Sequence, residues 1–518
     1  MGPLILACDL GTGGNKASLY HANGACLAEI FMPYPTCYPR PGFHEQRPTD
    51  WWEAVVQSIR KLIDVAGVHP GEVSCLGVSG HSLGVVPLDK TGNLLRNTTP
   101  IWSDSRAAAQ AAAFFERYPQ QDWYMLTGNG FPPALYPLFK IMWYARHEPE
   151  MFAQVDRIIG TKDYVNYRLT GVIASDNSYA SGSGVYDLLG RGYADELLSA
   201  SGLSPRIFPE IHASTEVLGE LLPQAAFELG LPHSVKVVAG GVDNSCMALG
   251  ARCFKEGRAY NSLGSSSWIT VSSAQPLLNL HSHPYVFAHV LPGQYISSVS
   301  VFSAGTSFRW VRDQLCPDLA DAARAQGADP YDWMADLASQ AEPGCRGLLF
   351  NPSLGGGSSH DPSLDMRGGY IGLDLSHTRA ELVRAAMEGA ALELRTALDE
   401  LRRSKMVRPE MLGDEILVVG GGSRSPLWRR IYADVLNLTV IKSTIDQQAA
   451  ALGAAALAAV GAGLWPDFEI IDRLHHIEDI TTPDPEANAV YESLLPVFVL
   501  AARHLAEIGD RMAKRNFG

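Results

Sequence analysis

Two stretches, one in each half of the chain, repeat the same uncommon pattern. Leu4 to Ala7 reads as a strand that runs into Asp9-Leu10-Gly11-Thr12-Gly13-Gly14-Asn15-Lys16; Ala17 and Leu19 resume a strand, and His21-Ala22-Asn23-Gly24 turns it again. Arg258 to Ile269, centred on Asn261-Ser262-Leu263-Gly264-Ser265-Ser266, also reads strand, small-residue turn, strand. Two hairpins of one kind imply two related halves. The chain therefore divides near residue 254 into an N-terminal lobe, 1–254, and a C-terminal lobe, 255–518. No low-complexity linker separates them, so they are expected to share an interface and a cleft. Because a strand follows each turn, and neither G-x-G-x-x-G nor G-x-x-x-x-G-K-[ST] occurs, dinucleotide-binding and P-loop folds are disfavoured.

The remaining punctuation supports an α/β chain. Trp51 to Ala66 has helical periodicity with Thr49-Asp50 as its N-terminal cap, and Val73 to Val78 is a strand ending at Ser79-Gly80-His81-Ser82-Leu83-Gly84. Pro100 to Arg106 runs into an alanine-rich helix. A strand from Val235 to Val238 ends at Gly240-Gly241-Val242-Asp243-Asn244, and another, Ile416 to Val419, ends at Gly420-Gly421-Gly422-Ser423 before a helix that starts near Pro426. Ala449 to Trp465, the longest run without a polar side chain, is mostly Ala and Gly and reads as a buried helix rather than a membrane span.

Lys and Arg total 41 against 55 Asp and Glu, a net charge of −14, which disfavours a non-specific hold on nucleic acid. Any phosphate site must then be built locally by loops. The 8 cysteines show no C-x-x-C pair and no zinc-like spacing, as expected for reduced thiols of a cytoplasmic protein. The N-terminus lacks the basic and long apolar regions of a secretory leader. The segment from Pro485 to Arg515 has enough apolar positions to pack on a lobe or on another subunit, which leaves a homodimer open.

Small-residue turns let consecutive backbone N–H groups approach phosphate oxygens, because no Cβ intervenes. One such turn from each half can hold a polyphosphate between them. Asp9, at the end of the first strand, either caps its turn or meets Mg²⁺. Asp243 either belongs to an ordinary turn or takes the proton of an attacking hydroxyl as general base. Lys16 either reaches phosphate or ends the hairpin.

Taken together, these strings resemble the FGGY family of carbohydrate kinases, most closely its xylulokinase-like branch, over nearly the whole chain. D-L-G-T-G-G-N-K at 9–16 and N-S-L-G-S-S at 261–266 look like the family's two phosphate motifs, and G-G-V-D-N at 240–244 like its catalytic segment. The segment from Gly368 to Glu388 is similar to its C-terminal signature, and G-G-G-S-R-S-P-L-W at 420–428 to its adenosine-side loop. The resemblance implies a two-lobed actin-like, ribonuclease-H-related fold. It implies Asp243 as general base and Asp9 as the Mg²⁺-associated carboxylate, with Asp243 close to the same ion. The nucleotide would be held by Gly11, Thr12, Gly13, Asn15, Lys16, Gly264, Ser265, Ser266, Gly421, Gly422 and Ser423. The implied reaction is transfer of the γ-phosphoryl group of ATP to a sugar hydroxyl.

The sugar side departs from the pattern. Xylulokinase-like sequences typically carry G-Q-M-H-G where this chain has Gly80-His81-Ser82-Leu83-Gly84, so an ungapped match puts Leu83 in place of a substrate-facing His. His81 and Ser82 are the candidate replacements. Trp102, Asp104 and Arg106 match a W-x-D-x-R segment and join Asp243 and Asn244 as candidate sugar contacts, against a plain reading as core Trp and capping Asp. The signature around Lys140 to Trp143 is met only approximately, because Tyr144 stands where an aliphatic residue is common. The expected acceptor is a ketopentose such as D-xylulose. Other ketoses or polyols stay open, as does a sugar-sensing pseudokinase; an actin-like ATPase or chaperone has no use for Asp243-Asn244.

Overall fold

The structure, a computed structural model, describes residues 2–358, 361–403 and 412–514; Arg515, the last residue of the apolar C-terminal segment, lies outside them. The first hairpin forms as its turn chemistry requires. Strands β1 (Leu4–Gly11) and β2 (Gly14–His21) pair antiparallel with Asp9 opposite Lys16, and β2 pairs with β3 (Cys26–Pro33). Helix α1 (Pro48–Ala66) covers this sheet with Trp51, Val55, Ile59 and Leu62, the helical stripe visible in the sequence. It starts earlier than its sequence suggests: Pro48 pre-sets the first turn, Arg47 occupies the cap position without a side-chain bond, and Thr49-Asp50 lies inside the helix.

Strand β4 (Val73–Gly80) then runs parallel to β1, with Ser79 opposite Asp9. A long insertion carries helices α2 (Pro137–His147) and α3 (Thr161–Thr170). The sheet is completed by β5 (Val217–Glu220), β6 (Lys236–Val238) and the short β7 (Gly241–Val242), which pairs with the end of β4; α4 (Asp243–Gly250) follows at once.

The second half repeats the plan. Its main elements are β8 (Gly257–Leu263), β9 (Ser267–Ser273), β10 (Tyr285–Ala288), β11 (Tyr295–Val301), α5 (Ala304–Leu315), α6 (Arg379–Arg402), β12 (Leu412–Val419), α7 (Pro426–Leu436), β13 (Thr439–Ser443), α8 (Ala449–Gly461), β14 (Ile477–Thr481) and α9 (Pro485–Ala513). The first sheet runs β3-β2-β1-β4-β6-β5 and the second β11-β9-β8-β12-β13-β14, with β10 added at its edge. Both follow one sequence of pairings: two antiparallel, two parallel, one antiparallel. This is a duplicated core in two α/β lobes, the actin-like architecture.

The lobes are interlocked rather than strung in series. Helix α8, from the second half, lies on the first sheet, its alanines packed with Ile5, Ala7, Cys75 and Val238. It crosses α4 so closely that a Cβ on Gly453 would strike the Cys246 carbonyl, and one on Gly250 the Ala449 carbonyl. Only glycine at both positions lets the two helices touch. The Ala-Gly run is thus a buried helix. Among the described residues one helix, α9, is long and apolar enough to cross a membrane by length and composition; its Ala487, Tyr491 and Phe498 belong to the core of the C-terminal lobe.

Candidate functional site

The carboxyl ends of β1, β4 and β7 converge on one edge of the first sheet. Ligands of open α/β sheets gather at such edges because loops and helix N-termini meet there. Asp9, near the end of β1, accepts a hydrogen bond from Ser79 Oγ at 2.8 Å, and Lys16 faces it across the hairpin. Asp243 opens α4, and its Oδ1 accepts the Asn244 N–H at 2.7 Å. Both carboxyls are partly buried: accessible to a ligand, yet dry enough that burial pushes Asp9 above the ordinary carboxylate range. Burial, with the Asp9 charge added, lifts Asp243 from 3.8 to about 7. A carboxyl held near neutrality beside a second one is suited to taking and releasing a proton.

Tyr34 completes this corner. Its hydroxyl donates to the Gly11 carbonyl at 2.5 Å, and, beyond its own burial, both aspartates raise its pKa further. No sequence signal marks it, since it is a lone tyrosine after a strand.

The first turn is exposed at Thr12 and Gly13 and is braced from outside. Gln46 Nε2 donates to the Thr12 carbonyl at 2.7 Å, and Trp102 Nε1 to Thr12 Oγ1 at 2.9 Å. The second turn, exposed at Gly264 and Ser265 and half-buried at Ser266, is pinned by α5, whose Gly305 and Thr306 N–H groups donate to the Gly264 and Ser265 carbonyls. The third turn begins at Gly420, in the left-handed region at φ 95°, and Asp446 accepts its N–H. Asp446 is a supporting residue the sequence reading did not identify. Between the second and third turns opens a cavity of about 520 Å³, lined among others by Gly264, Ser265, Gly421, Gly422, Phe308 and Trp428. Small residues on one side and aromatic faces on the other suit a polyphosphate carrying an aromatic base.

Four candidate side chains do not face this space. Asn15 is fully buried and donates to Ser58 Oγ at 2.8 Å, so it supports the first turn from beneath. Ser423 is likewise buried against Asp446, at 3.4 Å. Asp104 is fully buried and accepts the His44 N–H at 2.7 Å and Arg106 Nη2 at 2.7 Å. Arg106 also pairs with Glu45 at 2.5 Å and lies 4.0 Å over the Phe43 ring. Asp104 and Arg106 therefore brace the 101–106 loop, close to the plain reading of that segment. Trp102, by contrast, is not a core residue: it is 38% exposed, at the edge of the first turn.

The turn after β4 is also corrected. Leu83 adopts φ 60° and buries its side chain among Val85, Phe114, Phe139 and their neighbours, so it does not stand in a substrate-facing place. His81 is buried edge-on to Trp51; its Nδ1 lies 3.3 Å from Thr161 Oγ1, Nε2 has no partner, and burial lowers its pKa to about 4. Ser82 is half-buried, and Asn244 is 8% exposed beside Asp243. Lys16 Nζ donates to the Gln447 carbonyl at 3.0 Å, tying the first hairpin to the opposite half.

Comparison with known proteins identifies the family. The models of the FGGY family of carbohydrate kinases match residues 4–250 with their N-terminal domain and 259–462 with their C-terminal domain. A xylulose kinase of Bacillus subtilis is 30% identical over 90% of this chain and 89% of its own, and a gluconokinase of the same organism 27% identical over 97% and 96%. The crystal structure of a xylulose kinase from Rhodospirillum rubrum superposes with a TM-score of 0.88 over 98% of this chain and 100% of its own, at 28% identity. With both domain models matched in order around the paired aspartates and glycine turns, this chain belongs to the FGGY family of carbohydrate kinases, ATP-using phosphotransferases with an alcohol group as acceptor.

Proposed function

We propose that the chain transfers the γ-phosphoryl group of ATP to a hydroxyl of a ketopentose, D-xylulose being the first candidate, with Asp243 as general base. The observation that carries this reading is the Asp9–Asp243 pair, set at the strand ends beside the glycine turns, with Asp243 held near neutral pH. Asp243 takes the hydroxyl proton as the acceptor oxygen bonds to the γ-phosphorus; the bond from that phosphorus to the β–γ bridging oxygen breaks, and ADP leaves. N–H groups of the turns at Gly11–Gly13 and Gly264–Ser266 hold the phosphates, with Lys16 within reach, while Gly421 and Gly422 flank the adenosine. Residues 1–254 would supply the acceptor side and 255–518 most of the nucleotide side.

Among the described residues no group of three or more His, Cys, Asp and Glu forms a metal cage. A pair of carboxylates beside phosphate-binding turns fits Mg²⁺ carried in on the nucleotide, with Asp9 meeting it directly or through water. When bound, that ion neutralises charge on the transferred group.

Xylulose is favoured by the likeness to xylulose kinases; the gluconokinase likeness and the altered turn at His81-Ser82-Leu83 support a second reading with a sugar acid or another polyol as acceptor. All eight cysteines are free thiols, as suits the cytoplasm. A coupled ADP assay across ketoses, polyols and sugar acids tests the assignment: D-xylulose should give the highest kcat/KM. Silence with every ketopentose would refute it. Asp243→Asn should abolish sugar-dependent ADP formation and keep nucleotide binding.

A further inference from the structure

Lys140, on α2, is completely buried, and no carboxylate among the described residues forms an ion pair with it. Its ammonium donates instead to two main-chain carbonyls, Leu83 O at 3.0 Å and Ile101 O at 2.7 Å. Burial lowers its pKa to about 7, the Asp104 charge opposing this and the Arg106 charge adding to it. A buried cation with no directly paired carboxylate is a poor device for stability, since an apolar side chain of similar size would avoid the desolvation cost. What it joins is more informative. Leu83 O belongs to the turn that carries His81 and Ser82, and Ile101 O immediately precedes Trp102, whose indole reaches the first phosphate turn. Leu83 is also a non-glycine residue at φ 60°, a conformation that persists only when surrounding bonds hold it. His81 N–H to Leu10 O at 2.9 Å and Gly84 N–H to Tyr179 Oη at 3.2 Å secure the ends of that turn; Lys140 secures its middle.

We propose that Lys140 is a positioning residue for the acceptor: by tying Leu83 O to Ile101 O it sets the separation of the two walls, Ser82 on one and Trp102 on the other, between which a polyhydroxylated acceptor binds. This rests on the acceptor-site reading above. Lys140 touches neither the substrate nor the reacting atoms, and the first phosphate turn keeps its separate brace from Gln46, so removal of Lys140 acts chiefly on the acceptor pocket and far less on the nucleotide side.

The test is steady-state kinetics of the full chain, with D-xylulose and D-gluconate as acceptors and ATP varied separately. Lys140→Met removes the donors at nearly constant volume, Lys140→Gln keeps an N–H₂ donor, and Trp102→Ala serves as control. Lys140→Met should raise the acceptor KM at least tenfold and leave the ATP KM within twofold; Lys140→Gln should recover threefold or more of that loss. If Lys140→Met does not fold, Lys140→Gln is compared directly with the parent and should show a raised acceptor KM with an unchanged ATP KM. An unchanged acceptor KM in the Lys140 variants while Trp102→Ala raises it, or equal rises for acceptor and ATP, overturns the positioning role. An acceptor KM unmoved by Trp102→Ala as well overturns the location of the acceptor site itself.

Discussion

Holding a carboxyl near neutrality has a thermodynamic consequence that Asp243→Asn should expose. In the unfolded chain Asp243 titrates near 3.8, and in the folded protein near 7. Between these values the folded state holds the proton and the unfolded state does not, so stability falls as pH rises through this window and levels off above pH 7. Roughly three pKa units at about 1.4 kcal/mol each set a ceiling of about 4 kcal/mol. Partial solvent access and relaxation of the cleft bring the expected loss to about 1–2 kcal/mol. Asparagine carries no charge and keeps an oxygen to accept the Asn244 N–H, so the variant escapes the penalty. Thermal unfolding without nucleotide or divalent metal, from pH 4.5 to 8.5, should give similar midpoints near pH 4.5. At pH 8 the variant should melt a few degrees higher, at about 2–4 °C per kcal/mol for domains of this size. The same variant should be inactive. Parallel pH curves, or an Asn variant less stable at pH 8, would refute the claim that this site holds a destabilised carboxylate.

Asp9→Asn removes the charge that, after burial, most raises Asp243, so the pH profile of kcat/KM for the acceptor should shift to the acid side even as turnover drops. A profile that stays in place would show the two carboxyls to be uncoupled. Leu83→His would place an imidazole in an apolar cluster, at a cost of about 1–3 kcal/mol; a lower melting midpoint with unaltered acceptor ranking is expected, and a gain in selectivity for ketopentoses would contradict the buried placement. Gly453→Ala drives a Cβ into the Cys246 carbonyl, so α8 must shift; a loss of about 1–3 kcal/mol is expected, with reduced turnover because Asp243 opens the same turn of α4. A neutral effect on both would mean the helices separate freely.

The legible parts of this protein were those governed by neighbours in sequence. Glycine-rich turns between short apolar runs announce hairpins, and the recurrence of Gly11–Gly14 as Gly264–Ser266 marks the duplicated core. Asp9 and Asp243 were readable for the same reason: each stands at the end of a strand beside a turn that only small residues can form. Which side of a loop a polar side chain faces is a different matter. Asn15, Ser423, Asp104 and Arg106 sit in the expected motifs, yet each turns toward partners 23 to 63 residues away, namely Ser58, Asp446, His44, Glu45 and Phe43. Burial depends on what packs above a residue, and that is set by elements distant in the chain. Leu83 follows the same logic, since a left-handed backbone and an apolar cluster assembled from several distant segments direct its side chain inward.

The sequence alone thus determined two related α/β halves, a pair of carboxylates and the small-residue turns beside them, because strand alternation and glycine geometry are local. The tertiary structure decided which candidate side chains are buried and which stay exposed, how α8 crosses from one half onto the other's sheet, and that a buried lysine joins the turn after β4 to the loop that carries Trp102. These depend on long-range packing in a dry interior, where an unpaired charge or an added methyl group has a large cost that no local pattern records.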